Sequence, residues 1–129
     1  MANNFFVYKN IKVGKSLIEE DIKGVIETIY KKAEESNCKI LIPEDCIVGK
    51  TFDGKGENKN LNDIKDDEMI LDIGLNTIKK IEKKINQSNT VLWNGPAGYF
   101  ENRNFSHGTI SIAESISKKT FEGSLISVL

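Results

Sequence analysis

Four short, almost uniformly apolar runs constrain the fold of this chain more than any other feature. They are Lys39-Ile40-Leu41-Ile42, Met69-Ile70-Leu71-Asp72-Ile73, Thr90-Val91-Leu92-Trp93 and Leu125-Ile126-Ser127-Val128-Leu129. Their length suits strands, and their lack of polar alternation suits strands covered on both faces. Cys46-Ile47-Val48 is a weaker strand candidate. Between the runs the apolar period changes to three and four residues. Ile18, Ile22, Val25, Ile26, Ile29 and Ala33 form one helical stripe. Ser16 and Glu19 stand at capping-box spacing before it, Glu19, Glu20 and Asp21 crowd its first turn, Lys31 and Lys32 crowd its last, and Asn37 is a plausible stop. Leu75, Ile78, Ile81 and Ile85 form a second stripe, with lysines on its outer face. A third helix runs through Ile112, Ala113 and Ile116, opened by Ser106 or Thr109 and ended by Gly123. Met1–Tyr8 reads as the end of a further helix. Residues 50–67 are polar and read as a surface excursion, and the run Asp66-Asp67-Glu68 as a solvated edge rather than a metal site.

Strands and helices thus alternate. The expectation is an α/β chain of right-handed βαβ units: a Rossmann-like, three-layer αβα arrangement with a mainly parallel sheet, incomplete at both ends. Ligands of such sheets gather beyond the carboxyl ends of the strands. Attention therefore falls on the loops after Ile42, Ile73 and Trp93.

Charge and composition narrow the function classes. Eighteen basic and nineteen acidic residues among 129 leave a formal charge of -1. That balance argues against nucleic-acid partners and against a polybasic membrane patch. No apolar stretch approaches the ~20 residues of a membrane span, and the first residues lack the pattern of a signal peptide. Cys38 and Cys46 lack the spacing of a metal clip and read as small packed residues in a reducing, cytoplasmic setting. The lone histidine, His107, is assigned no catalytic role.

The segment Trp93-Asn94-Gly95-Pro96-Ala97-Gly98-Tyr99-Phe100-Glu101 carries most of the functional signal. Gly95 and Gly98 let the main chain approach a ligand closely, and Pro96 restricts Gly95. Asn94 offers a donor and an acceptor at a strand end. Glu101 can accept hydrogen bonds from vicinal hydroxyls such as those of a ribose. Spacing alone favours a strand–loop–helix connection whose glycines serve only the turn.

Taken in order, MANNFF at 1–6, VGKSLIEED at 13–21, KILIPED at 39–45, LDIG at 71–74, VLWNGPAGYFE at 91–101 and the F-x-x-GT of Phe105, Gly108 and Thr109 resemble the C-terminal, nucleotide-binding domain of the phosphoglycerate kinases. The resemblance extends along nearly the whole chain, so residues 1–129 would form part of that domain. It implies phosphoryl transfer in glycolysis between 1,3-bisphosphoglycerate and ADP, giving 3-phosphoglycerate and ATP, with Mg-ATP or Mg-ADP as substrate. By resemblance Glu101 meets the ribose and Asn94 lies near the transferred phosphates. Ile70 and Leu71 line the adenine pocket, Gly74 closes their segment, and Pro96 and Tyr99 share the wall. Leu71 and Tyr99 fit ordinary packing equally well, and Trp93 reads as core.

The departures from the family pattern shape the expectation further. Ile70 stands where the family has glycine, and Leu75 where proline is usual. The family's lysine-bearing glycine motif, its GGGD[ST] loop with the magnesium-binding Asp, and its 3-phosphoglycerate domain have no counterpart in the 129 residues. The expectation is a partial ATP/ADP site, with no catalytic or metal-binding residue of its own, that does not turn over alone. The family is usually monomeric. A stand-alone nucleotide-binding module, a non-functional remnant and one piece of a split enzyme are the alternatives.

Overall fold

The computed structural model describes residues 1–128. In chain order the elements are α1 (Ala2–Tyr8), α2 (Lys23–Glu35), β1 (Asp45–Gly49), β2 (Glu57–Asn60), β3 (Met69–Ile73), α3 (Leu75–Asn86), β4 (Thr90–Leu92), α4 (His107–Phe121) and β5 (Ile126–Val128). The chain is mixed α/β, as the alternation implies. Parallel pairing is confined, among the described residues, to β4 and β5, with Thr90 opposite Ile126 and Leu92 opposite Val128. The other sheet, in the order β2-β1-β3, is antiparallel.

Two departures account for the smaller parallel share. Lys39-Ile40-Leu41-Ile42 is not a strand. It runs between α2 and β1 outside any ladder, and Ile40 and Leu41 border a hollow shared with Ile81, Ile85 and Val91. The weaker candidate Cys46-Ile47-Val48 forms β1, the central strand of the antiparallel sheet. Its partner β2 arises inside the excursion expected to be irregular, where Glu57–Asn60 pairs with Val48–Asp45. The final run forms a strand over Ile126–Val128, and Leu129 lies outside the described residues.

The helix expected from Ser16 begins only at Lys23. The capping box does not form. The Ser16 hydroxyl donates to the Val13 carbonyl and accepts the Ile70 N–H at 2.8 Å, so it ties the entry segment to β3. The Glu19 N–H donates to Asn4 Oδ1 at 3.0 Å. Glu19, Glu20 and Asp21 therefore precede the helix, and its first turn holds no acidic residue. Asn37 does adopt a left-handed φ of 51°, which stops the helix as expected. Of the apolar stripe only Ile26 is buried; Ile18, Val25 and Ile29 are exposed. Helix α1 meets α2 through aromatic rings, Phe5 edge-on to Tyr30 at 5.7 Å between centroids.

Helices α3 and α4 are those expected. Their apolar faces form one core of Ile85, Ile112, Ile116 and Leu125, against which Ile73, Ile81, Val91 and Trp93 pack. Trp93, expected as core on a strand, lies one residue past β4 and packs half-buried against this core. A second core of Cys46, Val48 and Ile64 takes Leu61 and Ile70 on its flank.

Neither helix is capped by its own preceding side chain. Buried aspartates reach in from neighbouring strands instead. Asp45, at the start of β1, accepts the Asn76 and Thr77 N–H groups at 2.9 Å each and the Thr77 hydroxyl at 2.6 Å. Asp72 on β3 accepts the Gly108 N–H at 2.8 Å. Each carboxylate satisfies orphan donors and faces the positive end of a helix dipole. Ser106, an expected cap, donates instead to the Arg103 carbonyl at 3.2 Å.

The acidic run 66–68 is only partly a solvated edge. Glu68 is buried, 2.7 Å from Lys59 Nζ, and accepts the Lys65 N–H at 2.9 Å. The hydrogen bond from Lys59 holds its carboxyl below the usual value. Cys46 is buried as expected, whereas Cys38 is exposed.

Candidate functional site

Strand β3 ends at Ile73, and the segment 93–101 folds back across it. The register comes from the backbone: Trp93 N–H donates to the Val128 carbonyl at 2.9 Å, and Tyr99 N–H to the Leu71 carbonyl at 2.7 Å. Gly95 turns the chain with a φ of 113°, a region that glycine enters without strain. Gly98 lies against β3 so closely that a Cβ would stand 2.5 Å from Asp72 Oδ1. The loop glycines thus serve both a turn and a close approach.

This arrangement encloses a cavity of about 310 Å³. One wall is Ile70, Leu71, Asp72 and Ile73 of β3, and another is Ala97, Gly98 and Tyr99 of the loop. The amino-terminal residues Met1, Ala2 and Asn3 join them, as do Leu17, Pro43 and Phe52. The Tyr99 and Phe52 rings meet at 5.0 Å between centroids, inclined by 58°. A second, apolar hollow of about 330 Å³ lies on the loop's other side, lined by Trp93, Gly95, Pro96, Phe100 and Thr109.

The expected site residues divide between these places. Ile70, Leu71 and Tyr99 line the first cavity together. The Ile70 side chain packs toward the Cys46–Val48–Ile64 core. Pro96 lines the second hollow. Gly74 lies under the Asp45 carboxylate, where a Cβ would stand 2.2 Å from Cγ, so its role is to let β1 and the start of α3 meet. Asn94 and Glu101 are exposed, and neither lines either hollow.

Several residues at the site escaped the reading of the sequence. Asp72 sits inside the quoted LDIG motif, yet Gly108, the helix residue it caps, is 36 residues away. Burial is the main influence on its carboxyl and raises its pKa, despite the opposing bonds from Gly108 and Ile73 N–H. Asp45 behaves oppositely. Burial pushes its pKa up, but the bonds from the Thr77 hydroxyl and the Asn76 and Thr77 N–H groups together hold it below 3.8. The Cys46 thiol, at the cavity wall, is pushed up to about 12 by burial and by the carboxylates of Asp45 and Glu68, so it stays protonated. Lys59 lies near enough to oppose that shift, though not to reverse it. Phe52 and Thr109 complete the surroundings of the loop; the sequence marked Thr109 only as a candidate helix cap and within the F-x-x-GT pattern.

The family model described as "Phosphoglycerate kinase" matches residues 1–129. The chain belongs to the phosphoglycerate kinase family. Among curated phosphoglycerate kinases, that of Xanthobacter autotrophicus is 39% identical over 99% of this chain and 33% of its own length. That of Rhodopseudomonas palustris is 41% identical, again over 99% of this chain and 33% of its own length. The solved phosphoglycerate kinase of Coxiella burnetii superposes with a TM-score of 0.85 at 35% identity, covering 91% of this chain and 31% of that one. The Pyrococcus horikoshii phosphoglycerate kinase gives a TM-score of 0.67 at 25% identity, covering 89% and 30%. The chain therefore spans about a third of the length of the phosphoglycerate kinases it matches. Among the described residues, no helix is long and apolar enough to cross a membrane and no group of three or more His, Cys, Asp or Glu is placed to hold a metal ion.

Proposed function

We propose that this chain contributes the adenine-nucleotide half of a phosphoryl-transfer site, acting in the cytoplasm on ADP and 1,3-bisphosphoglycerate to give ATP and 3-phosphoglycerate. One observation carries the reading: the 310 Å³ cavity along β3, in which Ile70, Leu71 and Tyr99 meet. Its walls are mostly apolar, as a purine ring requires. Its polar side chains are largely committed elsewhere. Asp45 and Asp72 are bonded to helix N-termini, and Asn3 Nδ2 donates to the Leu17 carbonyl at 3.0 Å. The base is then held by shape and by ring contact, with Tyr99 at the lip.

In this reading Glu101, exposed in the turn after the loop, accepts the ribose hydroxyls. Asn94, exposed just past the end of β4, faces the phosphates. Pro96 stiffens the loop from its other side, and Gly74 keeps the end of β3 close to β1. Magnesium belongs to the nucleotide substrate. Catalysis of this kind rests on positioning and on electrostatic stabilisation of the transferring group. The chain spans a third of its relatives' length, so nucleotide binding, and not the whole transfer, is assigned to these residues.

Calorimetric titration of MgADP into the 129-residue chain and into Glu101→Ala tests the assignment. The unsubstituted chain is expected to bind, and the variant to bind roughly fivefold more weakly, the scale of one or two hydrogen bonds. No heat of binding from the unsubstituted chain, or equal affinity of the two, would sink it. A coupled assay with 1,3-bisphosphoglycerate and MgADP is expected to show no turnover by this polypeptide alone.

A further inference from the structure

The loop that walls the cavity is held on its far side by one hydroxyl. Thr109 Oγ1 accepts the N–H of Ala97 at 3.1 Å and approaches that of Gly98 at 3.4 Å. Pro96, just before them, has no N–H to offer. The next donor, Tyr99 N–H, goes to Leu71 on β3. Between Trp93 and Tyr99 the loop is therefore pinned twice: to α4 by a side chain and to β3 by the backbone. Thr109 is itself fixed. It stands in the first turn of α4, one residue after Gly108, whose N–H donates to buried Asp72. The carboxylate sets the helix start, the helix start sets the hydroxyl, and the hydroxyl sets the loop.

We propose that Thr109 is a positioning residue for nucleotide binding: its hydroxyl registers Ala97 and Gly98, and through them the turn that carries Glu101. The inference rests on the nucleotide reading above. Ala97, Gly98 and Tyr99 face the cavity directly, and Glu101 follows two residues later. The turn adds its own bonds, Phe100 N–H to Gly98 at 2.9 Å and Asn102 N–H to Tyr99 at 3.2 Å. A shift at Gly98 is thus passed to the carboxylate and not absorbed. An unpinned loop leaves the apolar walls of β3 intact but blurs the geometry at the sugar.

The experiment compares the chain with Thr109→Ala, Thr109→Val and Thr109→Ser, using two probes, MgADP and its 2′,3′-dideoxy analogue. Alanine suits a helix better than threonine, so the variants are expected to stay folded. Amide hydrogen exchange without ligand should be faster at Ala97 and Gly98 in the Ala and Val variants and unchanged in the Ser variant. Affinity for MgADP should fall about fivefold in the Ala and Val variants, the scale of a hydrogen-bonded contact, and recover in Thr109→Ser. The dideoxy analogue should lose much less, because it lacks the hydroxyls that Glu101 would meet. Unchanged exchange, equal losses on both nucleotides, or no loss on either would overturn the positioning role. If the unsubstituted chain binds neither nucleotide, the nucleotide reading itself falls; binding that Thr109→Ala leaves intact refutes this inference alone.

Discussion

Gly98 and Gly108 face the same carboxylate, that of Asp72, from a loop and from a helix. A Cβ on Gly98 would stand 2.5 Å from Oδ1 and 2.6 Å from the Phe105 carbonyl; one on Gly108 would stand 2.4 Å from Oδ1 and 2.5 Å from Ile73 Cγ1. Backbone and buried side chains give way poorly, so either alanine substitution is expected to cost about 1–3 kcal/mol. Gly24, inside α2, has nothing within 4 Å of its notional Cβ. Gly24→Ala is expected to stabilise by about 0.5–1 kcal/mol through helix propensity and the unfolded state. Urea midpoints of the three variants check both signs together. At this scale the sequence was legible where the motif itself was local. The turn at Gly95 follows from WNGPAG, whereas the close approach expected of Gly98 toward a ligand is made to Asp72 of β3. Asp72 was not legible, because a carboxylate among apolar neighbours gives no sign of which helix start lies above it.

Helix α3 shows how local signals and tertiary ones compete. Its stripe of Leu75, Ile78, Ile81 and Ile85 was plain in the sequence, and the helix runs as expected over Leu75–Asn86. Its cap was not plain, since the donors at Asn76 and Thr77 are met by Asp45 across 31 and 32 positions. The Ser16 capping box failed for the same reason in reverse. A locally sensible pairing lost to the half-buried Ile70 N–H, which the Ser16 hydroxyl satisfies instead. The run 39–42 failed as a strand and as core alike: it joins no ladder, Ile40 and Ile42 are half-buried, and Leu41 is exposed. Asp45→Ala should therefore act on α3 from outside it. The expected cost is ~2 kcal/mol, the upper range for a helix cap, and Asn76 and Thr77 amides should exchange first. Asp45→Asn keeps an acceptor and should fall between. Exchange that rises uniformly along the chain, and not first at α3, would contradict a capping role.

Across the whole molecule the three buried carboxylates oppose one another in their response to acid. Asp45 and Glu68 titrate below their ordinary 3.8 and 4.5 in the folded chain, while Asp72 titrates above 3.8. For Asp45 and Glu68 the unfolded chain binds the proton more readily. The stability they contribute is complete above the ordinary carboxylate range and is lost as pH falls through their folded values. For Asp72 the folded chain binds the proton more readily, so stability falls as pH rises from 3.8 to its raised folded value and is flat above it. The summed curve should thus be nearly level at neutral pH, gain slightly as Asp72 takes its proton, then drop as the other two do. Asp72→Asn should remove the slight gain and leave the drop. Glu68→Gln should shrink the drop and leave the gain, at the added cost of leaving Lys59, whose side chain is 9% exposed, with only the exposed Glu57 at 3.6 Å. Urea unfolding of the chain and of both variants from pH 3 to 7 reads these slopes directly. A drop that survives Glu68→Gln unchanged would mean that the acid response lies with Asp45 and not with the Lys59 pair.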